Sequence, residues 1–241
     1  MTLLLLAGTG EARAIAAALQ GRDVIASLAG VTREPEPLAV PVRQGGFGGA
    51  AGFRDFLARE NIHAVLDATH PYAARITARS AAICAELGMP FCQVLRPGWD
   101  PVDGDLWTRI ACEADAAAHI PLGATVFLGT GRQSLPGFAN LVGRRVICRQ
   151  IDPPEGEFPF AGGEFLLGRP PFSVADEIAL FRRLGVDWLV VKNAGGQASA
   201  TKLTAARELG IPVLMLARPA PGDWHRVETV AGALEWVARC G

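Results

Sequence analysis

Short apolar runs alternate with Ala-rich amphipathic stretches along the whole chain, and the period of each tells strand from helix. Residues 3–7 read as a buried strand and residues 11–20 as a helix stopped by Gly21. A second strand is expected at 24–28 and a weaker one at 41–44, ahead of the glycine-rich run 45–49 and a helix through Phe53, Phe56 and Leu57. Residues 64–66 predict a strand, 73–87 a helix with Ile76, Ile83 and Leu87 on its apolar side, and 91–95 another strand. Pro, Gly and Asp then crowd residues 96–105, as in a linker, so domains are expected at 1–100 and 101–241. Beyond it, strands are predicted at 125–128, 146–150, 188–191 and 213–216. Ser173, with Asp176 as its box partner, predicts a capped helix running to Leu184, and Ser199 is read as the cap of a helix over 202–209.

Strand and helix that alternate in this way predict an α/β fold of parallel sheets covered on both faces. Two echoes point to duplication. Gly8-Thr9-Gly10 returns as Gly129-Thr130-Gly131, an offset of 121, and Glu86-Leu87-Gly88-Met89-Pro90 returns as Glu208-Leu209-Gly210-Ile211-Pro212, an offset of 122. The expectation is two Rossmann-like parallel-sheet domains related by internal duplication, with an interdomain cleft outside the carboxyl ends of the strands.

Composition narrows the function classes. With half of its 241 residues apolar, each half can bury a core, and a net charge of −1 gives no global attraction to nucleic acid or membrane. The early apolar run is too short to span a bilayer or to serve as a signal core, so a soluble, cytoplasmic protein is expected; the oligomeric state is left open. Five cysteines form no CxxC pair, which indicates neither a disulfide framework nor a metal site. Of 23 basic residues only Lys192 and Lys202 are lysines, both within one short stretch, and an ammonium differs from a guanidinium in being compact and able to shift its pKa.

The candidate chemistry lies at predicted strand ends. Gly8, Thr9, Gly10 and Glu11 follow the first strand and open the first helix, where backbone N–H groups and the helix dipole can hold a pyrophosphate, although Arg13 replaces the third fingerprint glycine. NAD enzymes carry a carboxylate after the second strand. Here Ser27, Gly30, Thr32 and Arg33 stand instead, which favours the 2′-phosphate of NADP. The next strand ends in Thr69, His70, Pro71 and Tyr72, the chain's only tyrosine, with Pro71 placed to start a helix. In the second half, Lys192, Asn193, Gly195 and Gly196 resemble an anion-binding nest, and with Thr130, Gly131, Arg132 and Lys202 they are the candidates for holding an acidic substrate. Phosphate-loop, nucleophile-elbow and HExxH motifs are absent, and Ile76 stands where a short-chain dehydrogenase has its lysine.

The blocks at 6–11, 67–73, 129–132 and 192–196 together resemble the precorrin-6A reductase family of cobalamin biosynthesis, in the same order over the whole length. The resemblance implies NADPH-dependent reduction of a double bond in a corrin-precursor macrocycle, giving precorrin-6B; a similar enzyme of the anaerobic pathway takes the cobalt-containing analogue. The substrate so implied is a polycarboxylate tetrapyrrole, and the proton that follows the hydride comes from Tyr72, His70, Lys192 or water. Two other classes remain open: a tetrapyrrole methyltransferase using S-adenosylmethionine, and a non-catalytic NADP-binding sensor.

Overall fold

A computed structural model of the chain describes residues 1–30, 36–154 and 156–240. They form two compact units, one of residues 1–97 with 219–241, the other of residues 98–218.

The first unit opens with β1 (Thr2–Leu6), α1 (Gly10–Ala18), β2 (Val24–Leu28), β3 (Val42–Gln44), α2 (Gly49–Arg59), β4 (Ile62–Asp67), α3 (Ala74–Glu86) and β5 (Phe91–Val94). Every residue of β1 is buried, as a central strand covered on both faces requires. Its side chains divide with period two: Leu3 and Leu5 pack with Ile15 of α1, Ala26 and Leu66, while Leu4 and Leu6 pack with Phe53, Leu57, Val65 and Ile83 on the other face. Each such leucine contributes roughly 1.5–3 kcal/mol relative to an exposed one.

The second unit follows with β6 (Trp107–Ile110), α4 (Ala116–His119), β7 (Thr125–Leu128), β8 (Arg145–Gln150), β9 (Gly163–Leu167), α5 (Val174–Leu184), β10 (Trp188–Lys192), α6 (Thr201–Leu209) and β11 (Val213–Leu216). Phe127, Ile147, Phe181, Leu189, Leu203 and Met215 form its core. As expected, Ser173 caps α5 reciprocally with Asp176, and Gly185 ends that helix in the left-handed conformation. Ser199 does not cap α6: it closes a 3₁₀ turn, and the residue at the cap is Ala200, without a side-chain bond. Likewise α3 starts at Ala74 rather than Pro71, because residues 70–73 first make a turn closed by the Ala73 N–H on the His70 carbonyl (2.7 Å).

The chain then returns to the first unit with β12 (Arg226–Val227) and α7 (Val230–Cys240). This return departs from the expected second domain of 101–241, and its cause is edge pairing: β12 lies parallel to β5, while Trp236 and Val237 of α7 join the α1 side of the first core. The first sheet runs β12-β5-β4-β1-β2-β3 and the second β6-β11-β10-β7-β8-β9, all pairs parallel. Counted from β1 in the first sheet and from β7 in the second, each has the doubly wound Rossmann order, with the sixth place filled out of turn: by β12, after the chain has passed through the second unit, and by β6, which precedes β7 within its own unit. β6, α4, β9, β12 and α7 lie outside the predicted elements.

Candidate functional site

In the first unit the strand ends bring the glycine turn against the turn after β4. Thr9, extended at φ −128°, caps α1 by accepting from the Ala12 N–H (3.2 Å), and its hydroxyl donates to the Ala68 carbonyl (2.7 Å). One side chain therefore ties residues 8–10 to residues 67–70. Gly8 has φ 141°, and a Cβ built at Gly8 or Gly10 would meet nothing within 4 Å. The turn is thus open on the side where backbone amides and the start of α1 face out, which fits a dinucleotide phosphate. Glu11 is paired with Arg96 at 2.7 Å, both largely shielded, so its carboxylate is held within the protein.

After β4, Asp67 is fully buried and accepts from the Thr69 N–H (2.9 Å); burial pushes its carboxyl up, against hydrogen bonds from Thr77 and Thr69 that pull it down. His70 Nδ1 accepts from the Tyr72 N–H (3.3 Å), and the two rings lie 5.7 Å apart, tilted at 44°. The structure therefore groups Gly8, Thr9, Gly10, Thr69, His70 and Tyr72 at the carboxyl ends of β1 and β4, the two central strands of the first sheet.

The adenosine side of the expected site is partly described. Thr32 and Arg33 lie outside the described residues. Ser27 accepts from Arg43 Nη1 (2.8 Å), whose guanidinium also donates to the Gly45 and Gly46 carbonyls (2.9 and 3.0 Å) and stacks over Phe47 at 4.1 Å. Gly30 sits at φ 76° beside Gly45, where an added Cβ would meet the Gly45 nitrogen at 3.6 Å. Burial, then the charge of Arg59, lowers the Arg43 pKa. Arg43 escapes a sequence reading because nothing in a three-residue strand marks one arginine over another.

The second glycine turn is built differently. Gly131 (φ 79°) precedes a 3₁₀ helix, Arg132–Phe138, instead of an α-helix, and the Thr130 hydroxyl is buried without a partner, as are both amide atoms of Gln150 at the end of β8. A Cβ at Gly129 would press on Val191 Cγ1 at 3.2 Å, with the Lys202 stem in ordinary contact beyond it at 3.4 Å. The Lys202 ammonium donates to the Ser199 carbonyl (2.8 Å); burial first, then the charge of Arg149, pushes its pKa down to about 8, with Glu177 opposing. Arg149 and Glu177 themselves form a buried two-pronged pair at 2.9 and 2.7 Å. Lys192 ends β10 half-buried, its pKa lowered by burial and raised by Glu113.

Asn193 has a structural duty. Its side-chain oxygen accepts from the Trp99 N–H (2.7 Å) and its amide donates to the Trp99 carbonyl (3.0 Å), while Trp99 Nε1 donates to the Gly196 carbonyl (3.1 Å). Gly98 makes this possible, since a Cβ there would stand 3.1 Å from the Asn193 oxygen. Gly195 and Gly196 both have positive φ, a backbone that other residues rarely adopt, rather than the alternation of hand that makes a nest. Among the described residues no group of three or more His, Cys, Asp or Glu side chains could hold a metal ion, and no helix is long and apolar enough to cross a membrane.

Comparison with known proteins adds to this geometry. The chain is 46% identical over 240 residues to a precorrin-6A reductase of Rhodococcus erythropolis, covering 98% of this chain and 96% of the relative. It is 40% identical over 242 residues to one of Rhodobacter capsulatus, covering 99% and 96%. A solved structure of CobK precorrin-6A reductase superimposes with a TM-score of 0.95 at 40% identity, covering 100% of this chain and 98% of that one. The profile of precorrin-6x reductase CbiJ/CobK matches residues 2–238, and with these relatives it establishes that the chain belongs to the precorrin-6x reductase family.

Proposed function

We propose that this chain reduces precorrin-6A to precorrin-6B with NADPH as donor. The family is one of reductases, which sets methyl transfer aside. The observation that carries the cofactor reading is the open Gly8-Thr9-Gly10 turn at the start of α1, tied by Thr9 to the turn that holds His70 and Tyr72. When bound, NADPH supplies the hydride, and the macrocycle gains that hydride and one proton while NADP⁺ is left.

The chain's own residues align the partners and manage charge. Gly8 and Gly10 let the backbone approach the pyrophosphate; Ser27 and Arg43 stand at the end of β2, where a 2′-phosphate would be met. With Nδ1 accepting from a backbone N–H, neutral His70 carries its proton on Nε2, which makes it a donor beside the Tyr72 phenol. In the second unit, Arg132, Lys192 and Lys202 are the cations proposed for the substrate's acetate and propionate groups, and the unpartnered Thr130 hydroxyl adds a neutral donor. The test is an anaerobic assay of nicotinamide absorbance on mixing NADPH with precorrin-6A. One NADPH consumed per macrocycle, with a product two hydrogens heavier, is expected; no loss of absorbance over the uncatalysed control would refute the reading.

A further inference from the structure

Between the first turn of α2 and the outer side of α3 lies an open depression of about 570 Å³, lined by Gly49, Tyr72, Ala73, Arg75, Ile76 and Arg79. Three features of its wall are each unfavourable in the absence of a ligand. Nε and Nη2 of Arg79 are buried without a hydrogen-bond partner, although the guanidinium is held over Phe53 and Phe47 at 5.3 and 5.8 Å. Ring faces attract the charge but accept nothing from in-plane N–H groups, so the donors stay unsatisfied. Arg75 sits in the first turn of α3, which contains no acidic residue, so its charge opposes the helix dipole. It is also four residues from Arg79 on the same helix, a repulsive spacing for like charges. Facing them, α2 is capped by Gly48 in the left-handed conformation (φ 75°), which offers no side chain to the first-turn amides.

One group relieves all of these at once. We propose that the depression is an oxyanion site, in which a carboxylate or phosphate oxygen set lies among the Arg79 and Arg75 guanidinium groups and the first-turn amides of α2. Burial disfavours the charged form of Arg79, a cost that a bound anion repays. The proposal rests on the reductase reading, whose ligands offer both chemistries: the 2′-phosphate of the cofactor and the rim carboxylates of the macrocycle. It assigns the first unit an anion contact on α2 and α3, apart from the glycine turn at residues 8–10 and the residues after β2 that the sequence motifs point to.

The test uses the whole chain and two variants, Arg79→Met and the more exposed Arg75→Gln, with dissociation constants for NADPH, NADH, precorrin-6A and inorganic phosphate measured by direct titration. A charge-assisted contact of this kind predicts a loss of about tenfold or more in each variant. NADPH weakened with NADH unchanged identifies the phosphate; precorrin-6A weakened with NADPH unchanged identifies a carboxylate; either supports the site. NADPH and NADH weakened equally together with inorganic phosphate identifies the pyrophosphate that both carry and supports the site; the two weakened equally with phosphate unchanged means contact with a neutral ring and overturns it, and so does the absence of change in every titration. Should Arg79→Met fail to fold, Arg75→Gln carries the test alone. Titration needs no turnover, and phosphate needs neither ligand of the reaction. A chain that fails to oxidise NADPH but loses phosphate affinity in both variants therefore counts against the reaction and in favour of the site.

Discussion

Gly10 is the residue whose replacement separates folding from cofactor binding. Its backbone is ordinary and a Cβ there meets nothing within 4 Å, so Gly10→Val is expected to melt within a few degrees of the parent while losing NADPH affinity by about tenfold or more, the side chain filling space needed by the pyrophosphate. Retained affinity in a titration would place the dinucleotide elsewhere. Lys202 supplies a pH signature. Its folded pKa of about 8 is below the usual 10.5, so between those values the folded chain binds fewer protons than the unfolded one, and its contribution to stability rises with pH across that window. Below about pH 8 the shielded ammonium is a constant cost. Lys202→Met should therefore raise the urea midpoint at pH 7, by about 1 kcal/mol or more, and lose most of that gain by pH 10; equal gains at both pH values would contradict the sign. The turn at Thr9 and Gly10 was legible in the sequence because glycines between an apolar strand and a helix mark a tight strand-to-helix turn. Arg43 and Arg79 were not, since their significance lies in what surrounds them: carbonyls and a hydroxyl for one, phenyl faces for the other.

Among elements, the glycine-rich run 45–49 and α2 act as one piece. A Cβ at Gly52 would stand 1.9 Å from the Phe47 carbonyl oxygen, whereas one at Gly46 would meet nothing within 4 Å. Gly52→Ala is thus expected to cost roughly 2–4 kcal/mol and Gly46→Ala only a few tenths, read as shifts in denaturation midpoint; equal effects would mean that the turn yields without strain. Central strands such as β1 and β10 were readable from continuous apolar runs, because a strand covered on both faces has no polar side to blur it. β6 and β12 were not, for the opposite reason. Edge strands such as Trp107–Ile110 and Arg226–Val227 are short and partly exposed, and their pairing partners, β11 and β5, are far away in sequence. The capping box on α5 was legible and the start of α6 was not, since Ala200 offers no side-chain signal.

At the scale of the molecule, the return of β12 and α7 to the first unit divides the chain unevenly. Residues 98–218 are contiguous, and residues 1–97 are complete only with 219–241. A fragment of residues 98–218 is expected to unfold cooperatively in urea, while residues 1–97 alone should lack a cooperative transition and regain one when a peptide of 219–241 is added, because β12 and the Trp236 face of α7 close the first core. A cooperative transition in residues 1–97 by themselves would show that the return is ornamental. The likeness of the two units was hinted at by the repeated glycine turns, whereas the return of β12 and α7 was invisible to any local pattern, because it concerns only where strands of similar character choose to pair.

The same return sets a schedule on the ribosome. Multidomain chains ordinarily complete their first domain while the rest is still being made. Here the first unit must wait for β12 and α7 to leave the exit tunnel, and the second can finish earlier, so a nascent chain halted before residue 219 is expected to carry a settled second unit and an unsettled first. On the proposed reading the half that would hold the cofactor is thereby the last to become competent, and a product truncated before residue 219 is expected not to bind NADPH in a titration.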